Sequence, residues 1–140
     1  MKKIVILIAF GFLLISACKE EETCSDTIIP QYTIELSVKI YVFDKNDEMV
    51  IGYPSRYIVQ KTFCDGDVGF PIEESGNTTS YGYFWGKYWN LPYTNEKDYV
   101  TCYLYAGTLE GELGYSIKID YNDIKGTTIK QVEHNFYLPN

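Results

Sequence analysis

Few residues in this chain have types and spacings that could do chemistry. His134 is the single histidine. It shares the alternating phase of Val132 and Phe136, so it reads as a packing or rim residue before it reads as a general base. Glu73 and Glu74 are adjacent acids. Glycoside hydrolysis needs two carboxylates held across a substrate cleft, which loop neighbours do not provide. Oxygen ligands cluster in Asp44-Lys45-Asn46-Asp47-Glu48 and Asp120-Tyr121-Asn122-Asp123. Neither run has the sixth-position glycine that bends an EF-hand calcium loop, and the same residues serve ordinary turns. The cysteines and His134 lack the paired spacing of a zinc site. No Gly-x-Ser-x-Gly elbow, phosphate loop or metalloprotease motif occurs. The expectation is a non-catalytic protein with no metal and no cofactor.

Recognition chemistry is better represented. In "YGYFWGKYWNLPY", Tyr81 to Tyr93, strand alternation puts Tyr81, Tyr83, Trp85 and Trp89 on one face and Phe84 with Tyr88 on the other. One of the two sets must be core, the default for large aromatics. Tyr99, Tyr103 and Tyr105 alternate with the apolar Val100, Cys102 and Leu104, which predicts an outward tyrosine stripe. Flat aromatic surfaces suit sugar rings and protein partners alike. Tyr99, Tyr103, Tyr105, Trp85 and Trp89 are therefore the binding candidates.

The elements that must position them are strands. Ile34, Leu36, Val38, Ile40 and Val42 alternate with Glu35, Ser37, Lys39, Tyr41 and Phe43, a period of two. Further strand patterns run from Arg56 to Cys64, Thr78 to Leu91, Tyr99 to Ala106, Tyr115 to Tyr121 and Thr127 to Leu138. Val68 to Asn77 reads as a loop, because Gly69, Pro71 and Gly76 interrupt any ladder. No segment carries apolar residues at helical spacing over ten positions. The expectation is an all-β domain of six to eight short strands, a two-sheet sandwich with a closed barrel as the alternative.

The N-terminus has a different character. Lys2 and Lys3 precede an apolar run from Ile4 to Ile15, and Ser16-Ala17 close it. This is the order of a secretory signal, and the run is shorter than the roughly 20 apolar residues that cross a bilayer. Ile15-Ser16-Ala17-Cys18 resembles the lipobox of bacterial lipoproteins. The resemblance implies that residues 1–17 are removed and that Cys18 is acylated, with the membrane as its partner. Lys19-Glu20-Glu21-Glu22 resembles the export signal that follows the acylated cysteine in surface lipoproteins of the Bacteroidetes. It implies the outer face of the outer membrane, with the periplasmic face as the alternative. Asp26-Thr27-Ile28 is similar to the O-glycosylation acceptor of exported Bacteroidetes proteins, which makes Thr27 a modification candidate. Asn77-Thr78-Thr79 fits the eukaryotic N-glycan sequon, which a bacterial lipoprotein would not normally use.

Removing residues 1–17 would leave 123 residues with 10 basic and 19 acidic side chains, a net charge of −9 against −7 for the whole chain. An acidic protein repels phosphate backbones, so no nucleic-acid partner is expected. A chain of this size makes one core. The expected division is a leader over 1–17, acylated Cys18 with a polar tether over 18–31, and a β domain over 32–140.

With Cys18 set aside, three cysteines remain, and an even subset of them is expected to pair in an exported protein. Cys64 ends a strand and Cys102 lies on an inward face, which favours that pair. Cys24 with Cys64, and Cys24 with Cys102, are the rivals.

The core segment resembles the transthyretin-like or carboxypeptidase-regulatory-like sandwich, within the wider immunoglobulin-like architecture. The residues that carry the resemblance are Val38 to Asp44, Ile51-Gly52-Tyr53-Pro54, and Gly76 to Phe84. It implies a module that supports or binds and does not turn over substrate. The expected function is a surface interaction or accessory module with an unknown protein or glycan partner. A glycan-binding protein and a small inhibitor or immunity-type periplasmic lipoprotein are the alternatives.

Overall fold

A computed structural model of the chain describes residue 24 and residues 28–32, 35–89 and 93–140. The expected leader, Cys18, the Lys19 to Glu22 signal and Thr27 lie outside the described residues. The elements run β1 (Ile28–Tyr32), β2 (Glu35–Phe43), β3 (Pro54–Thr62), β4 (Ile72–Asn77), β5 (Tyr83–Trp89), β6 (Tyr93–Asn95), β7 (Tyr99–Ala106), β8 (Leu113–Asp120), the one-turn helix α1 (Tyr121–Ile124) and β9 (Ile129–Tyr137).

Two sheets pack as a sandwich. The three-stranded sheet has the order β5-β2-β9 and the four-stranded sheet the order β4-β3-β7-β8. The pair β1-β6 forms a separate ribbon. Every pairing is antiparallel except β2 with β9, which run parallel. Alternation sets the layers. Leu36, Val38, Ile40 and Val42 of β2 are fully buried, and so are Tyr57 of β3 and Val100, Cys102, Leu104 and Ala106 of β7. Their strand neighbours face outward, as the pleat requires.

The centre of the core is aromatic and is shaped by two glycines. The Tyr57 ring reaches from β3 to the backbone of Gly86 in β5, where a Cβ would lie 2.1 Å from Tyr57 Cε1. The Phe84 ring lies over Gly76 of β4, where a Cβ would come within 2.6 Å. Only glycine admits such close approaches within a strand. The Tyr57 hydroxyl donates to Glu74 at 2.6 Å, so this buried phenol keeps a hydrogen-bond partner.

That arrangement corrects the reading of Val68 to Asn77. Ile72–Asn77 is the edge strand β4, paired to β3 alone. All six of its residues are exposed, so the apolar alternation that marks a strand is missing. Pro71 stands just outside the ladder and Gly76 receives the Phe84 ring. The long strand expected from Thr78 begins instead at Tyr83, after a turn in which Gly82 N–H donates to Thr79 O at 2.8 Å. The helix α1 is a single turn, too short for helical periodicity to register.

The expected tether is also partly structured. Ile28–Tyr32 pairs with β6, and Cys24 is disulfide-bonded to Cys64. The favoured Cys64–Cys102 pair is therefore incorrect. Cys102 is opposite Val59 in the β3–β7 ladder, whereas Cys64 lies five residues beyond Val59. At about 3.3 Å per residue this puts the two cysteines on the order of 16 Å apart along the strand, beyond disulfide reach. Cys102 stays a buried free thiol. Asp98, itself buried, fixes the Cys64 corner by accepting the Cys64 N–H at 3.0 Å and pairing with Lys61 at 3.3 Å.

Candidate functional site

The side chains with possible chemistry are used in packing. The His134 ring stacks on Tyr115 of the opposite sheet at 3.9 Å between centroids and meets Phe136 edge-on at 4.6 Å. Burial holds its pKa below the ordinary 6.5. Burial pushes the Cys102 thiol up to about 12, so it is neutral and unreactive at physiological pH. Glu73 and Glu74 diverge: Glu73 pairs with Arg56 at 3.0 Å, while Glu74 accepts from Tyr57. The two oxygen-rich runs close their own turns. Asp44 Oδ1 accepts the N–H groups of Asn46 and Glu48 at 2.8 and 3.0 Å. Asp123 Oδ2 accepts the Asp120 N–H at 2.8 Å. Among the described residues, no group of three or more His, Cys, Asp or Glu side chains is placed to hold a metal.

The aromatic candidates fall on two different faces. Tyr99, Tyr103 and Tyr105 lie half-buried on the outer face of the four-stranded sheet. Two of these rings already carry a cation. The Arg56 guanidinium sits 4.2 Å from the Tyr105 centroid and Lys118 Nζ 4.2 Å from that of Tyr99. Arg56 is locked there by two hydrogen bonds to Glu112, at 2.8 and 2.6 Å, with Glu73 as a third contact. The hydrogen bond from Arg56 holds the Glu112 carboxyl below the usual carboxylate range. This stripe is a braced surface.

Trp85 is on the other sheet. Because Phe84 is buried, Tyr83, Trp85 and Lys87 of β5 face outward, and Trp85 is 48% exposed. The side chain of Trp89 lies outside the described residues. Register places Trp85 beside Lys39 and Glu133, Tyr83 beside Tyr41 and Asn135, Lys87 beside Ser37 and Gln131, and Phe43 beside Tyr137. Tyr41 and Tyr83 are 5.3 Å apart, as are Phe43 and Tyr137. The distal half of this face is thus aromatic and the proximal half polar.

The polar half is internally balanced. Lys87 pairs with Glu35 at 3.0 Å and Lys39 approaches Glu133 at 3.9 Å. The same lysines lie over rings, Lys87 5.0 Å from Trp85 and Lys39 5.1 Å from Tyr83. The Trp85 indole N–H donates to Ser37 Oγ at 3.3 Å, which fixes the ring across β2. Between Trp85 and Gln131 lies a shallow hollow of about 380 Å³.

Tyr41, Phe43 and Tyr137 join Tyr83 and Trp85 on this face, although in sequence only the β5 residues stood out as one group. The outward phase of β2 was visible in its alternation. Its pairing with β5 and β9 was not, and that pairing is what assembles the rings. No family profile and no curated protein matches this chain.

Proposed function

We propose that this chain is a lipid-anchored, cell-surface module without catalytic activity, built on a transthyretin-like or carboxypeptidase-regulatory-like sandwich, that binds its partner through the outer face of the three-stranded sheet. The observation that carries this reading is the contrast between the two outer faces. On one, Arg56 and Lys118 press to 4.2 Å from the Tyr105 and Tyr99 rings, which are half-buried. On the other, Lys87 and Lys39 stand farther off, at 5.0 and 5.1 Å from Trp85 and Tyr83, and Trp85 stays 48% exposed beside the Tyr41–Tyr83 and Phe43–Tyr137 ring pairs. A partly exposed, ordered indole ringed by polar side chains is the anatomy of a recognition site. The Ile15 to Cys18 lipobox and Lys19 to Glu22 support the address.

Two experiments test the two parts. Palmitate labelling in cells is expected for the native chain and is expected to vanish in Cys18→Ser, with the native domain digested by protease added to intact cells. A photo-crosslinking amino acid in place of Gln131 or Tyr137 is expected to capture a surface component, while one in place of Tyr103 captures none. Crosslinks from Tyr103 alone would move the binding face to the other sheet.

A further inference from the structure

The hollow beside Trp85 has a composition that selects among ligand classes. One wall is aromatic, from Trp85 and Tyr83, Ile129 adds an apolar edge, and the remaining lining is polar, with Glu35, Lys39, Lys87 and Gln131 in it. We infer that this hollow takes an uncharged pyranose unit of a glycan, one ring face on Trp85 and its hydroxyls on the Lys, Glu and Gln side chains of β2, β5 and β9. This inference rests on the outer face of the three-stranded sheet being the binding face, and it names the class of ligand for that face.

Three observations lead to it. The first is charge. Lys87 pairs with Glu35 inside the hollow at 3.0 Å and Lys39 with Glu133 at its rim at 3.9 Å, so hollow and rim together carry no net charge within a chain of net charge −7. A charged ligand would have to break one of these pairs and leave a like charge beside itself, whereas a neutral one breaks neither. The second is hydrogen-bonding grammar. Sugar hydroxyls donate and accept at once, and they need donors and acceptors side by side. Lysine supplies donors only, glutamate acceptors only and the Gln131 amide both, all within one patch. The third is shape. The volume is near the lower end of the roughly 300–1,000 Å³ of small-molecule sites, enough for one or two sugar rings, and the Trp85 to Ser37 hydrogen bond holds the indole in place before the ligand arrives.

The test is affinity electrophoresis of the folded mature domain in native gels containing neutral polysaccharides (a β-glucan, a mannan, a xylan and a galactan) or the polyanion pectate. Retardation by at least one neutral polymer is expected, with none by pectate. Trp85→Ala is expected to weaken the apparent affinity at least tenfold and Gln131→Ala several-fold, while Tyr103→Ala on the opposite sheet leaves it unchanged. Circular dichroism of each variant checks that the fold is intact. Retardation by no neutral polymer overturns the sugar assignment, as does retardation by pectate alone. Binding that survives Trp85→Ala overturns its placement. If retardation fails while crosslinkers at Gln131 or Tyr137 still capture a surface protein, the face stands and only the sugar falls. If both fail, the face itself is wrong.

Discussion

Replacing Gly86 with alanine tests the packing that sets Trp85 on its outward side. The added methyl would lie 2.1 Å from Tyr57 Cε1 and 2.8 Å from both Cζ and Oη of the same ring. Carbon contacts relax near 3.5 Å, so the ring or β5 must withdraw by about 1.4 Å. Tyr57 is fully buried and its hydroxyl is already 2.6 Å from Glu74, so the ring gives up that bond if it moves away from β5. Overpacking of this kind costs about 1–3 kcal/mol, and a strained hydrogen bond to a carboxylate adds about 1 kcal/mol or more. The lower backbone entropy of alanine in the unfolded chain returns about 0.5 kcal/mol. The expected net loss is about 2–3 kcal/mol, read by urea denaturation followed by circular dichroism. In a Tyr57→Leu background the clash is absent, and Gly86→Ala should cost under about 0.5 kcal/mol, giving a coupling near 2 kcal/mol in the double-mutant cycle. Equal costs in both backgrounds would refute the contact between Tyr57 and β5. Destabilisation in the Gly86→Ala protein should also shift Trp85 fluorescence, since the indole is the next residue in the strand.

Other expectations follow from the same structure. Non-reduced peptide mapping should recover Cys24 linked to Cys64, and Cys24→Ser should lower stability by about 4 kcal/mol in the chain-entropy account of a disulfide whose cysteines are 40 residues apart; a peptide joining Cys64 to Cys102 would contradict the fold. Thiol reagents at pH 8 should leave Cys102 unmodified until the protein is unfolded by denaturant, because its pKa stands near 12; modification of the native protein within minutes would refute its burial. The Glu112 carboxylate, favoured by Arg56, contributes stability that is complete above its ordinary pKa of 4.5 and is lost as pH falls through its lowered folded value. The fall in stability across that acid range should flatten in Glu112→Gln, and an unchanged profile would count against the pair. The neutral form of His134 is favoured by folding, so its contribution is present above pH 6.5 and fades as pH falls below that value. In His134→Gln the loss of stability between pH 6.5 and 5 should shrink; a wild-type profile would show that the ring titrates freely.

Strand alternation carried much of the fold. β2 and β7 were legible because one face of each is wholly apolar, and the all-β class followed from them. β4 escaped notice because an edge strand with both faces exposed has no apolar rhythm. β1 escaped because five residues paired to a three-residue strand give too short a pattern. The disulfide was misassigned because inward direction was visible at Cys102 while position along the strand was not, and only register supplies that. For the site, Trp85 was visible and its face was half-determined, since Phe84 and Trp85 could each have been core. The cations over Tyr99 and Tyr105 come from β8 and β3, through tertiary pairing that no local pattern announces.

The parallel pairing of β2 with β9 has a consequence for how this chain is made. Glu35 lies beside Ile129 and Phe43 beside Tyr137, so the central strand of the three-stranded sheet cannot complete its ladder until the last strand has emerged from the machinery that synthesises or exports it. Pairings between such distant segments carry a large loop-closure cost and fold slowly. Until then the outer face of the three-stranded sheet does not exist, because its rings come from three strands. For the exported chain we propose, that delay would postpone folding to the far side of the membrane.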